Sequence, residues 1–133
     1  RDLVSNYNLN SVIKFHGIVE RKEVYRFLTG SDFSVMSSFN EGFGVATIES
    51  MAAGMKVICA DLPSHNELMP DNSCIPADSA DEWMEAITTL HNDYISTNGQ
   101  SNQPQKELIE HAKQYDNSVY CQRLSEAYSS FVD

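Results

Sequence analysis

Residues 41–54 read EGFGVATIESMAAG, a glycine-rich loop that runs into a helical pattern. Gly42 and Gly44 relieve the steric limits on the backbone, so amide groups near Phe43 and Gly44 can approach a bound group closely. The helix that begins near Val45 directs its unpaired amides and the positive end of its dipole to the same place. The stretch therefore predicts a site for an anion or a sugar hydroxyl, built from backbone donors rather than from cations.

Glu49 lies one helical turn beyond Val45. Because helical side chains lean toward the amino end, its carboxylate can reach back toward the loop. The neighbouring helix positions are nearly all apolar, and a carboxylate in such surroundings is costly unless it accepts hydrogen bonds, which a vicinal diol would supply. We therefore interpret Glu49 as a ribose ligand. The alternative is an ordinary solvent-facing helix glutamate.

Strand and helix patterns alternate on both sides of this stretch. Short apolar runs predict strands at residues 12–15, 33–36, 57–59 and 74–75. Apolar residues at helical spacing predict helices at 23–28, from 45 to the residue before Gly54, at 81–92, and twice more between 106 and 131. Ser64 and Glu67 have the spacing of a capping box, which predicts a short helix there.

This alternation indicates βαβ units and the α/β class, since parallel strands need crossover connections. We expect a Rossmann-like parallel sheet flanked by helices within a single domain, residues 1–133. Ligands of such sheets bind at the carboxyl ends of the strands. That rule directs attention to the loops at residues 16–21, 37–44 and 61–65.

The charge balance bounds the partners. The chain of 133 residues has a net charge of −10 and only nine Lys plus Arg, which argues against a nucleic-acid partner. If the bound group is a nucleotide diphosphate, few cations remain to hold its phosphates. The basic residues near the motifs are Arg21, Lys22, Arg26 and Lys56.

Cysteine usage and hydropathy bound the compartment. Cys59, Cys74 and Cys121 lack the CxxC spacing of a zinc site, so we interpret them as buried small hydrophobes in a reducing, cytoplasmic environment. No cluster of metal-ligand residues is evident, and no apolar run approaches the roughly 18 residues that a membrane span needs. Asp61, Ser64 and His65 suggest a hydrolytic triad, but no Gly-x-Ser-x-Gly elbow surrounds Ser64.

Glu41 and Glu49, separated by seven residues with Gly-Phe-Gly after the first, resemble the motif of the family 4 (group 1) glycosyltransferases of GT-B architecture. The segments KFHG at 14–17, SDFSVMSS at 31–38, GMKVICAD at 54–61 and PSHNELM at 63–69 also fall where that family has counterparts. The resemblance runs from about residue 12 to residue 90. It implies the C-terminal, donor-binding lobe of a retaining enzyme.

The resemblance implies a role for each motif residue. Glu41 is the catalytic, donor-orienting residue, and Glu49 binds ribose. The remaining implied donor contacts are sugar and phosphate binding by Gly42, Phe43, Gly44 and Val45, and base binding by Gly17, Ile18 and Val19. His16 lies near this site, although a lone histidine more often has a packing role.

The same resemblance implies the substrates and the setting. The donor is a nucleotide-diphosphate sugar, with no metal or cofactor, and a glycan or lipid-linked acceptor is bound by an N-terminal lobe outside this chain. Many relatives act at the cytosolic face of a membrane. Ala46, Ser50 and the pair Met55–Lys56 depart from the family pattern without removing a ligand. A non-catalytic nucleotide-sugar binding module of the same fold is the alternative.

Residues 1–8 have the pattern of the tail of an element that begins upstream, so we expect an incomplete half of the lobe. In the sheet order of the family, the two strands that precede this piece lie between the strands at 12–15 and 33–36. The predicted strands next to that gap would have unpaired edges. We therefore expect them to pair with each other, to borrow a partner, or to belong to a larger protein.

Overall fold

The structure is a computed structural model that describes residues 1–70, 74–76, 78–99 and 105–129. These residues contain seven α-helices and two parallel strands. The strands are β1 (Phe33–Met36) and β2 (Lys56–Cys59). The helices are α1 (Asp2–Asn6), α2 (Arg21–Gly30), α3 (Val45–Ala52), α4 (Pro63–Leu68), α5 (Ala80–Ser96), α6 (Lys106–Ala112) and α7 (Asn117–Ser129). A 3₁₀ turn, Lys113–Tyr115, joins α6 to α7.

The two strands form a parallel ladder in which Phe33 pairs with Lys56 and Met36 pairs with Cys59. One further parallel bridge joins Ala60 to Ile75, so the pairing continues to a third segment at the position predicted for the fourth strand. The crossover between β1 and β2 contains α3. The predicted α/β class, with a small parallel sheet flanked by helices, is confirmed.

The core lies where α3 packs on β2 and α6. Met51 of α3 and Cys59 of β2 are fully buried, and they belong to one apolar cluster with residues of α4 and α6. The other buried members of the cluster are Val57, Leu68, Met69 and Ala112. Because α3 contributes to this core along its inner face, the loop that precedes it is attached to the most buried part of the protein.

The predicted strand at residues 12–15 is wrong. This segment forms a turn and then irregular backbone, and Val12 and Phe15 are 72% and 53% exposed. The amides of Val12 and Ile13 donate to the carbonyl of Leu9, which removes them from any ladder. A parallel strand needs a partner, and β1 and β2 pair with each other rather than with this segment.

The predicted helix boundaries need two corrections. α2 begins at Arg21 and includes Gly30, and Ser31 follows it in extended conformation. α4 begins at Pro63 with Leu62 as its N-cap, so the capping box predicted for Ser64 does not form. The Ser64 hydroxyl instead donates to a carbonyl in the loop before α3, which offers it a longer-range partner.

Other helical predictions are confirmed. Gly54 follows α3 with φ +78°, the left-handed conformation that favours glycine after a helix. α5 carries Asp81 and Glu82 in its first turn, where they complement the helix dipole. Leu108 and Ile109 are half-buried on α6, whereas Phe131 of the last predicted helix lies outside the described residues.

The three cysteines lie in three different environments. Cys59 is buried, as predicted, but Cys74 is half-buried and Cys121 is exposed. The Sγ atoms of Cys59 and Cys74 lie 3.2 Å apart. The prediction of a buried small hydrophobe is therefore correct for Cys59 and wrong for Cys121.

Candidate functional site

The candidate site lies at the carboxyl edge of the sheet. Because β1 and β2 run parallel, the segments that follow them emerge side by side. The loop at residues 37–44 follows β1, and α4 follows β2 after a short turn. The two segments touch, since Ser64 Oγ donates to the Glu41 carbonyl at 3.1 Å.

Gly44 is the N-cap of α3 and adopts φ 82° and ψ 43°. L-residues with side chains rarely adopt this left-handed conformation, which explains the glycine. The Gly44 carbonyl accepts hydrogen bonds from the amides of Thr47 and Ile48. No side chain caps the helix, so the first-turn amides at Val45 and Ala46 remain available to a ligand.

The rest of the loop is open to solvent. Glu41, Gly42 and Phe43 are exposed, and Val45 is 57% exposed, whereas Gly44 is buried. The structure therefore brings these five predicted site residues together around the start of α3. A ligand can reach the loop without displacing any core residue.

Glu49 lies one turn further along α3 and is half-buried. It lines a cleft of about 720 Å³ between α3, α6 and the start of α7. It also lines a second cleft of about 490 Å³ between α2 and α3. Arg21, the first residue of α2, lines both clefts, so a cation and the predicted ribose ligand share the same two cavities.

Tyr115 joins the Glu49 cleft to the glycine-rich loop. Its ring lies edge-on to Phe43 with centroids 6.2 Å apart, and it lines both the 720 Å³ cleft and a cleft of about 420 Å³ that Phe43 lines. The Tyr115 hydroxyl donates to the Glu67 carbonyl at 3.2 Å. Burial raises the pKa of Tyr115, and the nearby Glu67 carboxylate raises it further.

The basic residues near the motifs are arranged unevenly. Lys22 pairs with Glu20 at 2.7 Å, Arg26 pairs with Glu23 at 2.8 Å, and Lys56 pairs with Asp93 at 3.3 Å. Arg21 instead lines the two clefts that contain Glu49. It is therefore the basic residue among the four that is placed to meet a ligand beside Glu49.

The segment predicted to face the base lies apart from these clefts. His16 packs its ring against Phe27 of α2, with centroids 4.4 Å apart, which supports its packing interpretation. Gly17 adopts φ +66°, Ile18 is fully exposed, and Val19 is half-buried. Within the described residues, none of these four lines a cleft that contains Glu49 or Phe43, and base binding by this segment stays a prediction.

Sequence patterns do not predict three features of the site: Tyr115, Arg21 in the same clefts as Glu49, and His65 next to Gly44. Sequence patterns give little indication of these residues, because each lies in a segment that is distant in sequence from the loop. Ser64 has the spacing of a capping box with Glu67, and His65 belongs to the pattern of a triad. Neither pattern points toward the loop before α3.

The described residues contain no group of three or more His, Cys, Asp or Glu side chains placed to hold a metal ion. Among the helices of the described chain, none is both long and apolar enough to cross a membrane.

Residues 1–115 match the family described as glycosyl transferases group 1, a match that includes the loop, α3, α4 and Tyr115. The chain belongs to the group 1 glycosyl transferases. Membership in this family agrees with the Rossmann-like lobe predicted from the motif.

A curated relative points the same way as the family match. Over 96 residues, this group 1 glycosyl transferase chain is 23% identical to a protein named D-inositol 3-phosphate glycosyltransferase from Arthrobacter sp. (strain FB24). The match covers 70% of the chain and 23% of that protein, so the chain spans less than a quarter of the relative's length. Comparison with solved structures gives no significant match.

Proposed function

We propose that this chain supplies part of the donor site of a glycosyltransferase, which transfers a sugar from a nucleotide-sugar donor to an acceptor with retention of anomeric configuration. One observation carries the proposal. The α3 start capped by Gly44 and the half-buried Glu49 lie at the carboxyl edge of a parallel sheet, in a member of the group 1 glycosyl transferases.

The loop before α3 holds the sugar and phosphate end of the donor. The amides of Phe43, Gly44 and Val45 are the backbone donors at the helix start, where the dipole favours negative charge. Gly42 allows the donor to approach the backbone closely. Glu41, exposed at the same loop, orients the donor sugar and is the proposed catalytic residue.

Glu49 binds the ribose, because the residue lines clefts on either side of α3 and a carboxylate can accept two hydrogen bonds from a vicinal diol. Arg21 supplies positive charge in the same clefts, which reduces the shortage of cations near the motifs. Gly17, Ile18 and Val19 face the base. The nucleotide sugar is the substrate, and no metal or cofactor is assigned.

The acceptor, a glycan or a lipid-linked sugar, binds outside the described residues, on the lobe that faces this one in a GT-B enzyme. The proposed setting is the cytoplasm, at the cytosolic face of a membrane for a lipid-linked acceptor.

The proposal is tested by calorimetric titration of the chain with UDP, GDP and ADP, repeated on Glu49→Ala. We expect saturable binding that prefers one base. A charge-assisted hydrogen bond contributes about 1.5–3 kcal/mol to the free energy of binding, so the variant that lacks it should bind at least about tenfold more weakly. Glu85→Ala is the matched control, because Glu85 is an exposed helix glutamate outside the clefts that contain Glu49.

A folded chain that binds none of the three nucleotides contradicts the proposed donor site. If the wild type and Glu49→Ala bind the nucleotide with equal affinity, only the assignment of Glu49 to the ribose is contradicted. Donor binding by a longer, intact protein that shows no sugar transfer supports the non-catalytic module instead.

A further inference from the structure

α4 lies against the glycine-rich loop. It contacts the Glu41–Gly44 segment of that loop at both ends. Ser64 Oγ donates to the Glu41 carbonyl at 3.1 Å. At the other end, a Cβ built on Gly44 would lie 3.3 Å from His65 Cδ2 and 2.9 Å from Leu68 Cδ1. The side chains of α4 therefore occupy the space directly over Gly44.

His65 is held from its other side by the sheet. The side chain is 1% exposed, and its Nδ1 lies 2.9 Å from the carbonyl oxygen of Ala60, the residue that follows β2. A carbonyl only accepts hydrogen bonds, so Nδ1 carries the proton in this pair. This bond fixes the ring orientation, and Nε2 lies 3.6 Å from the Gly44 Cβ position.

The carboxyl end of α4 is anchored to the C-terminal helices. His111 Nε2 of α6 lies 2.8 Å from the Leu68 carbonyl oxygen, and the Tyr115 hydroxyl donates to the Glu67 carbonyl. Leu68 itself is 1% exposed and belongs to the core cluster. α4 is thus anchored on the sheet side and on the α6 side, and the loop packs against this anchored helix.

We infer that Ser64 and His65 are positioning residues, which hold the Glu41–Gly44 loop in the conformation that receives the donor. This inference rests on the proposed function and extends it to residues outside the donor motif. An exposed, glycine-containing loop loses conformational freedom when it binds a ligand, and a loop already held in place loses less. Removing either contact should therefore loosen the loop first and weaken donor binding as a consequence.

The first experiment needs no ligand. Amide hydrogen exchange, measured by NMR, is compared in the wild-type chain, Ser64→Ala and His65→Asn. Asn keeps an N–H donor for the Ala60 carbonyl and removes the ring from Gly44. We expect exchange at the Thr47 and Ile48 amides, which donate to the Gly44 carbonyl at the end of the loop, to become about tenfold faster in both variants, with unchanged exchange at the core amides of β2.

Two further variants separate positioning from a general loss of stability. Asn66→Ala is the matched control on the same helix, because the side chain of exposed Asn66 donates to the Asp61 carboxylate and not to the loop, and it should leave loop exchange unchanged. Ser64→Thr keeps the hydroxyl and should restore the wild-type rate. If Ser64→Ala and His65→Asn fold and their amides near the loop exchange at the wild-type rate, the inference is overturned. If His65→Asn does not fold, the Ser64 pair decides alone.

The second experiment repeats the nucleotide titration on the same variants. We expect about tenfold weaker binding in Ser64→Ala and His65→Asn, with no change in Asn66→Ala. If the wild-type protein binds no nucleotide, the proposed function is contradicted. Faster loop exchange in the two variants would then still show that α4 positions the loop. Normal binding and normal exchange in both folded variants contradict the inference and leave the proposed function standing.

Discussion

Gly44 and Leu68 pack so closely that a Cβ on Gly44 would lie 2.9 Å from Leu68 Cδ1. Both residues are buried, and Leu68 belongs to the core cluster. The glycine is thus required twice, once by its left-handed backbone and once by the space that α4 occupies. This relationship connects the start of the candidate site directly to the core.

Gly44→Ala should lower the free energy of unfolding by about 2–4 kcal/mol, because strain at positive φ adds to overpacking against Leu68. Gly42→Ala is the control, since nothing lies within 4 Å of a Cβ at Gly42 and its φ is not positive. Urea unfolding of both variants measures the difference. Similar losses in the two variants would show that the packing at Gly44 is unimportant.

Arg21→Gln should weaken binding of a nucleoside diphosphate by about tenfold, because it removes a charge from both clefts that contain Glu49. Arg26→Gln is the matched control on the same helix, where Arg26 pairs with Glu23 instead. Titrations with the diphosphate and with the parent nucleoside test the assignment. A loss of equal size for the nucleoside would mean that Arg21 does not act on the phosphates.

Met51→Ala should destabilise the protein by about 2–5 kcal/mol, because Met51 is fully buried at the centre of the core cluster. Met84→Ala, at a position that is 64% exposed on α5, should change stability by no more than about 0.5 kcal/mol. Thermal or urea unfolding checks the contrast. If the two variants lose the same stability, α3 is not part of the core as described.

Asp116 should give a pH-dependent contribution to stability at the start of α7. Hydrogen bonds from the Ser118 hydroxyl and then from the Ser118 amide lower the pKa of Asp116 below its ordinary value. A lowered folded-state pKa means that the stabilisation is present above the ordinary value and is lost as the pH falls through the folded-state pKa.

NMR titration of the Asp116 carboxyl measures this shift, and Ser118→Ala should return the midpoint toward the ordinary value. Asp116→Asn should be less stable than the wild type at neutral pH, with the difference shrinking in acid. A midpoint unaffected by Ser118→Ala would refute the assigned cause.

Much of the fold follows from local pattern. β1, β2, α3 and the glycine after α3 lie where apolar spacing and turn residues predict them. The parallel sheet follows from the alternation of strands with helices. The wrong strand at residues 12–15 shows the limit of this reasoning, because an apolar run becomes a strand only when another strand is available to pair with it.

The candidate site divides in the same way. The Glu41–Val45 loop and Glu49 are readable from the motif, since their grouping depends on one turn of helix. Local spacing predicts a capping box at Ser64, but the hydroxyl bonds to the Glu41 carbonyl because folding brings α4 against the loop. A local pattern cannot weigh a competing partner that arrives through tertiary packing.

By itself, the sequence determined the α/β class, the family motif and the glycine that begins α3, because these depend on neighbours along the chain. The tertiary structure alone decided which groups surround that motif: Arg21 beside Glu49, Tyr115 beside Phe43, and His65 over Gly44. These contacts join segments far apart in sequence, and they form when burial of the core brings α4 and α6 against α3.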